Sequence, residues 1–324
     1  MADRARGEPR YPVRVVVART GLSADVLRAW ERRYGAVQPQ RSSGGHRLYS
    51  DVDVARLTIM QRATLAGHSI SEIAPLDLLA LEALLDGPAR APAGWPPEAV
   101  EALVASSLTA TQRLDAAALE AALKRGALAL GGTALVDAVV PRFLHRVGER
   151  WRDGTLSPAH EHLASAAVRR VLAWVADGYT AGPRAPRLVV ATPAGELHEF
   201  GALLVATAAA EEGWRVVYLG ASLPAAHVAE AATQVGARAV ALSAICIDGA
   251  TVLDATRATA RALPVGTTLF AGGAAAERHG EMLRPAGVRV LPDISALRRA
   301  LRALRAHASS VPAEAAVDSA VVDG

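Results

Sequence analysis

The rhythm of apolar and polar positions changes along the chain, and the changes divide it into blocks. In the first, "VRVVVARTGLS" reads as a short helix and a tight turn at Gly21, in spite of its β-branched residues. "SADVLRAWERRYG" reads as a second helix: Ser23 is a good N-cap, Val26, Leu27 and Trp30 recur at helical spacing, and Gly35 ends it. Two glycines in "VQPQRSSGGHRLYS" allow a sharp hairpin, and helices starting near Asp51 and Ser69 follow. Residues 10–80 therefore predict an all-α helix-turn-helix unit with a wing. A stretch dense in Pro, Gly and Ala, "LLDGPARAPAGWPPEAV", predicts a linker over 81–97. From 98 to 180 the period is helical, with segments such as "RLDAAALEAALKRGAL" and "SPAHEHLASAAVRRVLAWVADG" predicting a four-helix bundle. Between 186 and 306 five apolar runs, "RLVVAT", "RVVYLG", "RAVALSA", "TTLFAGG" and "VRVLP", are separated by segments of helical composition. That alternation predicts an α/β doubly wound, Rossmann-like parallel sheet. Residues 307–324 are small and acidic and read as a disordered tail.

Composition fits this division. A chain of 324 residues has room for two or three domains, and 51% hydrophobic with only 4% aromatic residues implies cores of Ala, Val and Leu. The one cysteine, Cys246, excludes an internal disulfide framework and fits a reducing compartment. No apolar run approaches the roughly 18 residues of a membrane span, and "MADRARGEPRYP" has no apolar signal core, so no membrane partner and a cytoplasmic location are expected. With a net charge of +3, a nucleic-acid partner has to be met by a local basic patch.

The N-terminal block supplies such a patch. Arg28, Arg32 and Arg33 share one short helix, and the hairpin flanks carry Arg41, His46, Arg47 and Tyr49. A helix that fits a major groove beside a basic loop that can follow the backbone is a DNA-binding arrangement, whereas any one of these arginines alone could be a solvated face. "TGLSADVLRAWERRYG" followed by "RSSGGHRLYSDVDVARLTIMQRATLAGHSISEI" resembles the MerR family of winged-helix regulators over about residues 12–75. The resemblance implies operator DNA as partner, with Arg28, Arg32, Arg33 and Tyr34 on the recognition helix and Arg41, His46, Arg47 and Tyr49 in the wing. Leu27 and Trp30, by their spacing, pack the small core. The long antiparallel dimerisation helix usual in that family has no counterpart in the pattern here.

In the sheet block, "GELHEFG" follows the first strand, at the edge where such sheets bind ligands. A neutral imidazole at His198 is a good transition-metal ligand, and Glu196, two residues before it, can fix its tautomer. Gly201 would let a large ligand approach the next helix. One histidine cannot hold a free ion, so the metal would arrive already held. Ser243 and Ile245 stand at the end of the third strand, Gly272 and Gly273 at the end of the fourth. The combination E-x-H-x-x-G, S-x-I and G-G, in phase with the strands, resembles the cobalamin-binding fold of methionine synthase and mutases. It implies His198 as lower axial cobalt ligand and a nucleotide tail lying beside Gly201, Ser243, Ile245, Gly272 and Gly273. Glu196 stands where Asp is more usual, and Ile245 where Leu is.

"WRDGTLSPAHEH", in the bundle, resembles the signature of CarH-type adenosylcobalamin photoreceptors, which also carry a MerR domain. This implies Trp151 on the upper axial group and Glu161 and His162 at the adenosyl or corrin edge. Read without the resemblance, Trp151 plugs a helix end and Glu161 caps the next helix after Ser157 and Pro158. One position departs: the histidine common after that tryptophan is Arg152 here, and a guanidinium is a poor ligand. A second histidine on the metal after illumination would then have to come from His145, His160 or His162. The resemblances together imply a light-responsive regulator, a repressor, that uses adenosylcobalamin and forms a dimer or tetramer in the dark. The alternatives are a corrinoid enzyme component, a methyltransferase or mutase, and a MerR-type regulator governed by a protein partner.

Overall fold

The computed structural model describes residues 8–42, 44–65, 68, 70–86, 95–245 and 250–309, which form two units divided after Thr180. Cys246, the middle of the expected linker (87–94) and the chain from 310 onward lie outside the described residues.

The first unit opens with β1 (Tyr11–Pro12), α1 (Val13–Thr20), α2 (Ala24–Tyr34), β2 (Gln40–Arg41), β3 (Arg47–Tyr49), α3 (Asp51–Leu65), α4 (Ile70–Ile73) and α5 (Leu78–Asp86). Gly21 ends α1 at φ +69, a left-handed angle that suits glycine, and its N–H donates to the Val17 carbonyl at 2.9 Å. Ser23 starts α2 by accepting from the Val26 N–H at 3.2 Å. Ser50 and Asp53 cap α3 reciprocally, the Ser50 N–H donating to Asp53 at 2.9 Å and the Asp53 N–H to the Ser50 hydroxyl at 3.2 Å. The wing is an antiparallel sheet in the order β1-β3-β2, so the head is not purely α-helical. Leu27, Trp30, Tyr49, Leu57, Met60 and Leu81 are buried in one core. Helix α5, which begins before the expected linker start at 81, thus packs in the head's core. Arg56 gathers the carbonyls of Ala36, Ala74 and Leu76 at 2.7–2.8 Å, closing the head around α3.

The same unit continues as a four-helix bundle. Its helices are α6 (Pro97–Gln112), α7 (Ala116–Leu130), a long helix made of α8 (Gly132–Ala134), a π-helical turn (Leu135–Val139) and α9 (Val140–Arg152), and α10 (Pro158–Asp177). The π turn, in which the Val140 N–H reaches back to Leu135, ends one residue short of Pro141, a residue with no N–H to give the ladder. Leu119, Leu123, Leu135, Val139, Phe143, Val168 and Val171 fill the interior. Gly126 brings α6 and α7 close together, for a Cβ there would lie 2.0 Å from Leu103.

The second unit contains β4 (Arg187–Ala191), α11 (Phe200–Glu211), β5 (Arg215–Tyr218), α12 (Ala225–Val235), β6 (Ala239–Ser243), α13 (Ala250–Ala262), β7 (Thr268–Gly272), α14 (Ala274–Arg278), α15 (Gly280–Leu283), β8 (Arg289–Val290) and α16 (Ile294–Ser309). Its five strands are all parallel in the order β5-β4-β6-β7-β8, which puts the topological switch at β4. Period-2 alternation serves two cores: Val189, Ala191, Val240 and Leu242 face one helical layer, Leu188, Val190, Ala239 and Ala241 the other. Helix α16 runs to Ser309, past the expected start of a disordered tail at 307. It is anchored by buried Arg298, which pairs with Glu211 and, at 3.4 Å, with Glu212 at the end of α11.

Candidate cofactor-binding and DNA-binding sites

The loop after β4 is shaped by a hydroxyl network from two strand ends. The Thr192 hydroxyl, fully buried, donates to the Glu196 carbonyl and accepts from the Ser222 N–H at 2.8 Å. The Ser222 N–H also lies 3.1 Å from the Glu196 carbonyl, and the Ser222 hydroxyl accepts from the Gly195 N–H at 3.1 Å. Ser222 takes φ +56 to do this, a left-handed angle uncommon outside glycine. The loop is therefore fixed before any ligand arrives.

Its product is a clamped imidazole. The Glu196 side chain is 0% exposed, and one carboxylate oxygen accepts from the His198 N–H at 2.8 Å and faces His198 Nδ1 at 2.6 Å. The other oxygen accepts from the Ile245 N–H at 2.8 Å, tying the loop to the end of β6. A carboxylate only accepts, so in the neutral ring Nδ1 carries the proton and the lone pair is on Nε2, at the far side of a ring that is 68% exposed. On the other flank, Tyr218 donates to Glu199 at 2.7 Å.

Small residues line the neighbouring strand ends. Ser243 and Gly272 are register partners across β6 and β7. A Cβ on Gly201 would lie 2.2 Å from the Ser243 hydroxyl and 3.5 Å from the Ile245 side chain. Gly273, at φ +98, has the Ala244 carbonyl oxygen 2.5 Å from where a Cβ would be, and Gly272 has the Leu291 carbonyl at 3.5 Å. Among the described residues no cluster of three or more metal-ligating side chains exists. A corrinoid, which brings its metal already held on four sides and a slender tail, fits one outward imidazole beside a cradle that side chains would fill.

In the bundle, Trp151 is 51% exposed at the end of α9. Glu161 accepts from Ser165 at 2.5 Å and meets His162 Nδ1 at 2.6 Å, so the His162 ring repeats the tautomer logic of His198. The cap of α10 is Ser157, with His160 Nδ1 accepting from the Ser157 N–H at 3.1 Å; Glu161 does not cap. Of the remaining histidines named for the upper face, His145 pairs with Glu149 at 3.1 Å through Nε2. Arg152 donates back to the Gly148 carbonyl at 3.2 Å.

In the head, Arg28, Arg32, Arg33, Arg41 and His46 are exposed, and Arg33 lies over the half-buried Tyr34 ring at 5.7 Å. Tyr49 is corrected: it is fully buried and its hydroxyl donates to Glu31, so it supports the wing from inside and cannot touch DNA. Burial, then the Glu31 hydrogen bond, push its phenol well above the ordinary value. Arg47 is half-held by the same carboxylate, Nε to Glu31 at 3.0 Å. Sequence reading missed Thr192, Ser222 and Glu31. No local signal marked Thr192 or Ser222, whereas the i, i+2 spacing of Arg47 and Tyr49, which puts both on one face of β3, could have found Glu31.

The fold and these two sites define a DNA-binding head joined to a corrinoid-binding module. Residues 11–77 match the family described as MerR HTH family regulatory protein, and residues 186–298 and 101–175 each match a B12 binding domain. The chain belongs to the MerR-type transcriptional regulators that carry B12-binding domains. It is 34% identical over 276 residues, 84% of this chain and 91% of the relative, to the HTH-type transcriptional repressor CarH of Myxococcus xanthus. To the repressor CarA of the same organism it is 34% identical over 216 residues, 66% of this chain and 69% of the relative. The Methanosarcina barkeri monomethylamine corrinoid protein is similar in fold at a TM-score of 0.52, with 16% identity, over 64% of this chain and 98% of its own. Among the described residues no helix is long and apolar enough to cross a membrane.

Proposed function

We propose that the chain is a light-responsive repressor that binds operator DNA and takes adenosylcobalamin as chromophore. The observation that carries this reading is the clamped His198, whose Nε2 lone pair is set beside a glycine cradle by a buried carboxylate. When bound, adenosylcobalamin supplies a cobalt–carbon bond that light can break. His198 would hold the metal from below, with Glu196 keeping its tautomer and orientation. Gly201, Ser243, Ile245, Gly272 and Gly273 would receive the tail, and Trp151, Glu161 and His162 would serve the upper axial group. Arg152, always protonated, has no lone pair to offer the metal. Of the histidines considered for the upper face, His162, whose neutral ring gives its Nδ1 proton to Glu161, would keep a lone pair on Nε2, whereas His160 accepts at Nδ1 from the Ser157 N–H and carries its proton on Nε2.

Arg28, Arg32, Arg33, Arg41 and His46 would meet phosphate and base edges, with Tyr34 and Arg47 in support. A dark-state homo-oligomer would multiply weak contacts on operator half-sites through effective concentration, and illumination would remove that bias. Gel shift of the reconstituted protein on its own upstream DNA tests the reading. Retardation in the dark that is lost under green light is expected; equal retardation in both would sink the light response.

A further inference from the structure

The turn between α1 and α2 rests on the side of the bundle. A Cβ on Gly21 would lie 2.1 Å from Nε1 of Trp174 and 2.7 Å from its Cδ1, so the indole edge sits directly against the backbone of the turn. Lys124 of α7 covers the same ring, 5.4 Å from its centre. Beside it, Arg62 of α3 donates from Nε to the Gly178 carbonyl at 3.0 Å. That carbonyl lies at the C-terminal end of α10, where acceptors are left over and a cation is favoured. Leu128 of α7 packs on the head's core.

This contact is sealed but not satisfied. Nε1 of Trp174 is buried and has no hydrogen-bond partner among the described residues. A buried N–H gives up its hydration and gains no acceptor, so the docked state is less stable than its shape complementarity would allow, and undocking returns the group to water. Helix α10 is moreover one continuous helix, Pro158–Asp177, with Glu161 in its first turn, His162 next to it and Trp174 in its last turn. Whatever displaces one end displaces the other.

We propose that Trp174 is the seat of a releasable latch which docks the DNA-reading head on the bundle and lets it undock as a body. Docking itself is independent of the cofactor. That docking relays the state of the Glu161–His162 end of α10 to the head rests on the function proposed above.

Hydrogen–deuterium exchange of the full-length chain without corrinoid reads docking alone. W174A is expected to raise exchange around Gly21 and Leu22 several-fold. W174F, which keeps a ring and removes the orphaned N–H, is expected to lower it. Equal exchange in wild type and both variants overturns the latch. If W174A also loosens the bundle interior around Leu119 and Val168, R62M decides: it removes only the Gly178 contact, and should raise exchange at the head–bundle contact by a smaller factor, no change being the overturning result. With the corrinoid bound, W174F is expected to narrow the dark-to-light ratio of operator affinity. A latch present without corrinoid but an unchanged ratio in W174F overturns the relay, whereas a wild type without any light response overturns the proposed function and leaves the latch standing.

Discussion

Glu196 reaches His198 twice, at 2.8 Å through the backbone N–H and at 2.6 Å through Nδ1, from a carboxylate that solvent does not touch. Side chain and backbone are thus aimed by one group, and the imidazole has no rotational latitude to spend when a ligand arrives.

Weakening that group should weaken the metal bond without emptying the site. E196Q is expected to lower corrinoid affinity about 10–100-fold, the usual effect of removing a partner of a metal-bound histidine, and H198A to lower it further. Absorption titration of the unloaded chain measures both; wild-type affinity in H198A would refute the assignment.

Gly273 has no room and no permitted angle for a side chain. G273A places a Cβ against the Ala244 carbonyl at φ +98, and backbone cannot swing aside. A loss of about 2–5 kcal/mol in the stability of the sheet unit is expected from strain and overpacking together. Denaturant unfolding of the variant checks this.

The head should lose stability in alkali through Tyr49. Its phenol is raised above the ordinary value near 10, chiefly by burial, so the folded state resists ionisation that the unfolded chain accepts. The contribution is complete below about pH 10 and declines as pH climbs beyond it. Y49F should abolish this dependence, and at neutral pH it should cost about 1–3 kcal/mol because Glu31 loses a donor. Thermal unfolding between neutral and strongly alkaline pH tests both statements.

On DNA, R32A, R33A and R41A should weaken binding to specific and unrelated sequences alike. Each should lower the slope of log affinity against log salt by about 0.9 if it removes a phosphate contact. A variant that changes sequence preference but not the slope would instead identify a base-reading arginine.

Removing Arg298 takes a buried cation away from Glu211 at the end of α11, while Glu212 keeps Arg302, which donates to both of its oxygens at 2.6 Å. R298M is expected to destabilise the sheet unit by about 3–5 kcal/mol, as measured by unfolding of the full chain.

Much of this was written locally in the sequence. Gly21, Ser23 and Gly35 punctuate the two head helices as turn and cap chemistry require, and the apolar runs of the sheet needed only their period. The E-x-H spacing announced the clamp because both partners sit in one loop. What stayed hidden depends on residues far apart in the chain: Ser222 and Thr192 come from different strand ends, and neither has a chemical character that stands out alone. Tyr49 misled because an aromatic among Arg41, His46 and Arg47 looks like a nucleic-acid contact; only the placement of Glu31 on α2 turns it inward. The two-residue strand β1 is too short for any periodicity to register.

Glu31 joins α2 to the hairpin at two points, Arg47 and Tyr49. The head therefore has a fixed bite: if α2 enters a groove as proposed, its gap to the hairpin would not stretch to suit the duplex. A rigid caliper of this kind leaves the adjusting to the DNA, so base steps that neither arm touches would still be selected by how readily they yield.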